Sequence, residues 1–460
     1  MLKGLTKIEL TDIHTQKTET IVEENMVTNA LSEILTPLGL ASNSTQFYST
    51  LTPYYKTLLG GILLLDSPVE EDPDNYILSP NVNPIGYGVY NTQNTYSSSL
   101  FGSYNTLESE FNTEERYVKY VYDFKTSEAN GTISSIALTS NQGGYFSLGT
   151  PNVSYGTEHL LMTKLSDELS ELLPYSKLKN EIEEKLFLID PDQDIAYYYK
   201  KENDTQISIL KKRAFLKSIA VFEQPNQELP ILETITLSDL TLLNSLKGNY
   251  DPTDDCLYLI STSRSAGNYI KPEDRFVVIK IKLDTWEVTQ YEMINTTTET
   301  FFNSASYELR YAYVHNGYVW LQRTTKYYSY YKFELGNSAN VSKASNSLST
   351  VTYPLFGIKD RIYYWDATSS LIINNQTNKM TFPKAKYVFN TTSSANSAIG
   401  IPFRNHPLIY YMGYSYSSSF YIYTYFFALG NYLATINNLS EPITKTADKT
   451  MKITYIIQEQ

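Results

Sequence analysis

The chain has 460 residues, more than one ordinary hydrophobic core supports, so two or three domains are expected. Hydrophobic residues make up 42% and charged residues 19%, a globular balance far from disorder. A net charge of −12 argues against nucleic acid, whose phosphates require a basic stripe, and the single cysteine, Cys256, excludes an internal disulfide and a thiolate metal site. No charged-then-apolar leader opens the chain and no run approaches ~18 apolar residues, so synthesis in the cytoplasm and no membrane span are expected. The 42 tyrosines admit two readings: the codon bias of an AT-rich genome, in keeping with abundant Lys, Asn and Ile, or a recognition surface.

From the amino terminus, Leu5, Ile8, Leu10 and Ile13 lead into the polar turn His14-Thr15-Gln16-Lys17, and the chain returns from Thr18 to Val22, which predicts a hairpin. Met26, Ala30, Ile34 and Leu38 then recur at helical spacing behind Glu23 and Glu24, so a helix is expected from Glu23 toward Leu38, cut short by Pro37. Residues 40–116 read as loop-rich, with a buried strand from Ile62 to Leu65 and a surface excursion over 79–105. Tyr117 to Phe124 and Thr132 to Leu138 read as paired strands around Asn130-Gly131. Leu161, Leu165, Leu169 and Leu172 suggest a second helix, His159 to Leu173, ended by Pro174.

Beyond about residue 185 the texture becomes strand-rich, and one phrase returns five times: a polar turn pair, two mostly apolar residues, an aromatic. It reads Gln193-Asp194-Ile195-Ala196-Tyr197, Asp254-Asp255-Cys256-Leu257-Tyr258, Asn316-Gly317-Tyr318-Val319-Trp320, Asp360-Arg361-Ile362-Tyr363-Tyr364 and His406-Pro407-Leu408-Ile409-Tyr410. The aromatics stand 61, 62, 44 and 46 residues apart, and four strands can be drawn in most units, as the blades of a β-propeller require. A β-sandwich with long hairpins is the rival. Met451, Ile453, Tyr455 and Ile457 alternate with polar residues, a half-buried strand that would return to the amino-terminal domain.

The fold class expected is therefore mainly β: a propeller-like repeat domain of five or more blades (185–437) inserted into a β-rich, sandwich-like base with one or two short helices. The base spans 1–155, a helical connector 156–184, and a carboxy-terminal strand 438–460 completes the base.

Few residue patterns point to chemistry. Asp190/Asp192, Asp254/Asp255 and the acidic run 70–74 sit beside Pro or in turns, where Asp is favoured for its bonds to backbone. The four histidines, His14, His159, His315 and His406, show no metal spacing. Gly143-Gly144-Tyr145-Phe146-Ser147-Leu148-Gly149 lacks the phosphate-loop pattern. No catalytic residue, metal or cofactor is assigned. The open candidates are aromatic: Tyr327, Tyr328, Tyr330 and Tyr331, and Tyr414, Tyr416, Tyr421 and Tyr423, half of which would face outward on strands and could meet sugar rings or a protein. Packing between blades is the bland alternative, and Tyr197, Tyr258, Trp320, Tyr364 and Tyr410 read as core spacers.

Three terminal segments carry a resemblance: Lys7-Ile8-Glu9-Leu10-Thr11-Asp12 with Glu24-Asn25-Met26-Val27-Thr28-Asn29-Ala30; Tyr122-Asp123-Phe124 with Ala129-Asn130-Gly131-Thr132-Ile133 and Gly143-Gly144-Tyr145; and Leu433 to Leu439 with Met451-Lys452-Ile453-Thr454-Tyr455. Together they resemble tail, baseplate, fibre or collar structural proteins of tailed bacteriophages and prophages of low-GC Gram-positive bacteria. The likeness covers roughly the first 155 residues and the last 30. It implies a non-enzymatic virion component, present in several copies or as a homo-oligomer, whose partners are other tail, neck or baseplate proteins and a host-surface glycan or protein. A purely architectural neck or tail decoration and a propeller glycoside hydrolase are the alternatives.

Overall fold

The computed structural model describes residues 2–29, 31, 59–76, 82–95, 98–112, 114–139, 162–164, 184–190, 192–214, 229–243, 245–262, 269–302, 312–323, 329–345, 353–358, 360–365, 370–381, 397–417, 420–430 and 432–459. Their secondary structure is almost entirely β. Asn29 and Leu31 lie in a helical turn, and no other described residue is helical.

A hairpin opens the chain, β1 (Leu2–Asp12) with β2 (Thr18–Val27), in register from Gly4↔Asn25 to Thr11↔Thr18. Asp12 shapes its turn: Oδ1 accepts from the N–H groups of His14 at 2.9 Å and Thr15 at 2.7 Å, while Gln16 takes a left-handed φ of 58°. The helix expected from Glu23 does not begin there. β2 continues to Val27, because β1 and then Ile436 and Thr435 offer its backbone ladder partners that outweigh a helical stripe. The rest of that expected helix, apart from Asn29 and Leu31, lies outside the described residues.

Six more strands follow: β3 (Gly61–Leu65), β4 (Pro84–Gly88), β5 (Phe101–Tyr104), β6 (Glu110–Asn112), β7 (Tyr117–Phe124) and β8 (Gly131–Thr139). β4 and β5 fall inside the stretch 79–105 that reads as a surface excursion. They are buried strands, paired in parallel through Tyr87↔Phe101. Their glycines are contact positions, not turn signals: a Cβ on Gly88 would lie 2.5 Å from the Tyr122 ring, and one on Gly102 would lie 2.4 Å from the Phe124 ring.

The short strand β9 (Met162–Lys164) replaces part of the second expected helix. The remainder of that helix, and of the connector up to residue 183, lies outside the described residues. Four antiparallel groups of four strands come next. The first is β10 (Glu184–Asp190), β11 (Ile195–Asn203), β12 (Gln206–Arg213) and β13 (Ile231–Leu237). The second is β14 (Ser245–Asp251), β15 (Cys256–Thr262), β17 (Arg275–Lys282) and β18 (Val288–Ile294), beside a small pair, β16 (Tyr269–Ile270) and β19 (Phe301–Phe302). The third is β20 (Ala312–His315), β21 (Tyr318–Gln322), β22 (Tyr330–Glu334) and β23 (Asn337–Lys343). The fourth is β24 (Tyr353–Ile358), β25 (Arg361–Trp365), β26 (Ser370–Asn374) and β27 (Met380–Thr381). A fifth group holds β28 (Ser397–Phe403), β29 (His406–Ser417) and β30 (Phe420–Gly430), and β9 lies alongside β30. A parallel pairing, Ile189↔Phe403, merges the fifth group with the first into one eight-stranded sheet.

The sequence phrase and the structural repeat coincide. Each aromatic lies on the second strand of its group. In the first three groups the polar pair of the phrase makes the turn, with left-handed φ at Asp194, Asp255 and Asn316, while in the fifth the turn falls just before the phrase, at Arg404 and Asn405, and His406-Pro407 already belong to β29. Asn and Asp tolerate that conformation better than other side chains with a Cβ, which is why the phrase is polar there. Tyr197, Tyr258, Trp320 and Tyr364 are buried between sheets. One core joins the first and second sheets, with Tyr197 and Ile209 beside Leu257 and Ile279. A second joins the second and third (Tyr258, Val278, Val314, Phe333), and another the third and fourth (Trp320, Tyr330, Ile362, Tyr364). The first strands succeed one another in a closed circuit: β10 meets β14, β14 meets β20, β20 meets β24, β24 meets β28, and β28 returns to β10.

The final strands are β31 (Thr435–Lys445) and β32 (Lys449–Glu459). β32 pairs with β1 from Leu2↔Glu459 to Asp12↔Lys449 and, on its other edge, with β7. The ladder β32-β1-β2-β31-β8-β3-β4-β5-β7 therefore closes on itself, a nine-stranded barrel in place of the expected sandwich-like base, with β6 attached to β7. Alternation explains β32: Met451, Ile453, Tyr455 and Ile457 point inward against Leu10, Ile8 and their neighbours. The barrel and the repeated sheets form two compact units, divided near Thr163 and again near Ala428.

Candidate functional site

The chemistry of the repeated sheets is concentrated where one sheet meets the next. Between the first and second, the Gly248 N–H donates to Tyr199 Oη at 2.8 Å. Between the second and third, Asn249 imitates a strand partner: its Nδ2 donates to Val314 O at 2.8 Å and its Oδ1 accepts from Val314 N at 2.9 Å. Two residues on, Asp251 and His315 meet, Oδ1 to Nδ1 at 3.0 Å, both fully buried. Burial would raise the Asp251 carboxyl, but His315 and the donated N–H groups of Thr253 and Asn316 outweigh it and hold it below the ordinary carboxylate range.

Between the third and fourth sheets, Trp320 Nε1 donates to Asn375 Oδ1 at 2.7 Å and Lys332 Nζ to Asn375 O at 2.7 Å. The Lys332 ammonium lies 4.4 Å from the Tyr318 ring centroid and is almost wholly buried, and burial lowers its pKa. Tyr313 Oη accepts the Gly357 N–H at 2.7 Å.

The junction of the fifth, first and second groups carries the densest charge. Arg404, in the turn between β28 and β29, reaches three aspartates: Nη1 to Asp190 Oδ2 at 3.3 Å, Nε to Asp255 Oδ1 at 3.0 Å and Nη2 to Asp284 Oδ1 at 3.0 Å, with a further contact from Nη2 to Asp255 Oδ2. Its backbone N–H donates to Ile189 O at 2.8 Å. Burial works against the guanidinium charge, but the bonds to Asp255 and Asp284 more than offset it and raise the Arg404 pKa. Asp190 also accepts the Gln193 N–H at 3.0 Å, and Asp255 the Tyr250 hydroxyl at 2.7 Å. Asp190 thus serves a turn and a junction together.

The aromatic candidates fall out unevenly. Tyr330 is a correction: it is fully buried, its ring centroid 4.3 Å from that of Tyr364, because its register on β22 points it into the core shared with the fourth sheet. Tyr331, on the opposite face of β22, is half-buried against Phe301, and its hydroxyl donates to Glu299 at 3.2 Å. Tyr327 and Tyr328 lie outside the described residues. The backbone places Tyr414 and Tyr416 on β29 and Tyr421 and Tyr423 on β30, and their side chains lie outside the description. Cys256 is buried, and burial followed by the neighbouring Asp254 carboxylate pushes its thiol up to about 12. Among the described residues no group of three or more His, Cys, Asp or Glu side chains is arranged to hold a metal, and no helix is long and apolar enough to cross a membrane.

The barrel has its own polar features. An open depression of about 380 Å³ crosses its outer wall, lined by Glu9, Thr11, Thr18, Asp123, Thr450 and Lys452 among others. At one end, the buried Lys445 ammonium donates to Lys125 O at 2.9 Å and Asn130 Oδ1 at 2.8 Å, and burial pushes its pKa down to about 8.

What the fold defines is an all-β protein whose polar groups are used at sheet junctions. No family model matches the chain, and no curated protein does. Among solved structures it is similar to the polysaccharide lyase Uly1, at 10% identity and a TM-score of 0.28 over 81% of this chain and 99% of that one. It is also similar to an uncharacterized protein, lmo1340, of Listeria monocytogenes EGD-e (8% identity, TM-score 0.23, 67% of this chain and 90% of that one) and to the AfRom2 CNH domain (8%, 0.24, 70% and 93%). At these scores the likenesses carry no functional argument, which rests on the residues themselves.

Proposed function

We propose that the repeated sheets form a five-bladed β-propeller and that the whole chain is a non-enzymatic structural component of a phage virion. Order of strands supports the propeller. β9 precedes the first group in sequence yet flanks β30 of the fifth, so one blade is built from both ends of the repeat and the circle is latched where it would otherwise open. The barrel, which gathers the first and last strands of the chain, is the attachment unit for tail, neck or baseplate neighbours. The propeller is the presenting unit, and a glycan or protein of the host surface is its partner.

The observation that carries this reading is the use made of charge. Asp190, Asp251, Asp255, Asp284, His315, Lys332 and Arg404 all join one sheet to another, and a polar group spent on positioning a scaffold is poorly placed to turn over a substrate. The test compares particles carrying the whole chain with particles lacking residues 185–428. Equal assembly with reduced adsorption is the expected result. Unchanged adsorption would assign the chain to decoration alone. Release of reducing ends from host cell-surface polymer by the purified protein would overturn the non-enzymatic reading in favour of a glycoside hydrolase.

A further inference from the structure

Lys445 ends β31, and its partner in the ladder is Gly131, the first residue of β8. From there its buried side chain reaches back to the turn between β7 and β8. Nζ meets Lys125 O at 2.9 Å, Thr126 O at 3.3 Å and Asn130 Oδ1 at 2.8 Å. The Asn130 carboxamide is held at both ends, since its Nδ2 donates to Thr126 O at 2.9 Å. Glu128 is buried in the same turn, where its carboxylate accepts the Lys125 N–H at 2.8 Å and Asn94 Nδ2 at 2.9 Å. An amine and a carboxamide 315 residues apart in sequence are thus kept within hydrogen-bond reach, beside a buried carboxylate.

Asn130 Cγ, an electrophilic carbon, lies one bond beyond the oxygen that Nζ touches. An amide resists free amines in water, but groups held together in a suitable geometry react as though at about 10⁵ M or more. Burial disfavours the charged form of Lys445 and brings its pKa down to about 8, against the opposing pull of the Glu128 and Asp448 carboxylates. A neutral, nucleophilic nitrogen is therefore populated close to neutral pH. Asn130 itself is exposed, which gives a leaving group a way out.

We propose that Lys445 and Asn130 join in an isopeptide bond, formed by the folded protein itself. Lys445 Nζ bonds to Asn130 Cγ, the Cγ–Nδ2 bond breaks, and Nδ2 leaves as ammonia with the proton that Nζ gives up. Nothing is oxidised or reduced, and no co-reactant is needed. The bond ties the last strand pair of the barrel to the β7–β8 turn and encloses the repeated sheets in a covalent ring. Until it forms, Lys445 keeps a titratable amine. The reaction does not depend on the protein's belonging to a virion.

Mass spectrometry of the full-length protein, incubated folded at pH 9, tests it. The mass should lie below that of the sequence by one ammonia, and proteolysis should release a branched peptide joining the segments that hold Lys445 and Asn130. In protein not yet converted, the reaction should run about tenfold faster at pH 9 than at pH 7, following the neutral amine, and should stop in urea. Lys445→Arg should keep the full mass. Cyclisation of Asn130 onto the Gly131 nitrogen also releases ammonia, but it gives no branched peptide and would persist in Lys445→Arg. A folded chain that keeps the full mass, or a loss of ammonia without the branched peptide, would overturn the proposal; both readouts use the unaltered chain, so neither depends on the variant folding.

Discussion

Arg404 ties the fifth group of strands to the first and the second. Its side chain is 14% exposed and faces Asp190 (4%), Asp255 (31%) and Asp284 (66%). Arg404→Met keeps most of the aliphatic length and removes the cation, leaving Asp190 and Asp255 close together without a counter-charge. Breaking a buried pair by removing one member costs about 3–5 kcal/mol, so a loss of about 3 kcal/mol is expected at this partly open site. Asp284→Asn should cost less than about 1 kcal/mol, because its carboxylate is mostly in water. Arg404→Lys keeps the charge but cannot span three acceptors and should fall between the two. Because the chain has two compact units, a single unfolding free energy is a poor readout, and local opening is better measured by native-state hydrogen exchange. Exchange at the Arg404 amide, which is bonded to Ile189 O, and along β10 and β28 should accelerate by about a hundredfold, the equivalent of nearly 3 kcal/mol. The barrel strands should be unaffected. If Arg404→Met exchanges as the unaltered protein does at that junction, or if acceleration is uniform over all the sheets, the clasp is not what holds the circuit closed.

Three further outcomes follow from single contacts. Gly357→Ala places a Cβ 2.6 Å from His315 Nδ1 in a fully buried site, so thermal unfolding should show a loss of about 1–3 kcal/mol in the repeated sheets. Tyr364→Phe removes a buried hydroxyl that has no hydrogen-bond partner among the described residues and should leave stability unchanged or raise it by up to about 1 kcal/mol in denaturant titration; a clear loss would mean the hydroxyl is satisfied. For Lys445 the folded pKa, about 8, lies below the ordinary lysine value of 10.5, so between those values the unfolded chain binds the extra proton and barrel stability should rise with pH. Lys445→Met should flatten that rise; a fall in stability over the same window, followed by denaturant titration, would reverse the assigned sign.

The depth to which the fold was legible in the sequence differs between its two units. In the repeat, the polar-turn, apolar, aromatic phrase marks the second strand of every group, because a polar residue suits the turn and the strand that follows it carries core side chains. The amino-terminal hairpin and the alternation of β32 were equally local. The start of the helix expected at Glu23 was not, since Glu23 to Asn25 take ladder partners on β1, and Met26 and Val27 take theirs on β31. β4 and β5 were missed for a related reason: their glycines make room for Tyr122 and Phe124, which approach from β7.

The site residues divide along the same line. Turn roles for Asp190 and Asp255 follow from sequence: Asp190 accepts the Gln193 N–H, and Asp255 takes the left-handed backbone of its turn. Their convergence on Arg404, 214 and 149 residues away, does not, nor does the meeting of Asp251 with His315 across 64 residues. Local chemistry is encoded within a few residues and can be read there. Which strand lies beside which and which tyrosine faces a core depend on the closing of the barrel and of the strand circuit. That closure is a property of contacts between distant segments, and no short stretch of chain contains it.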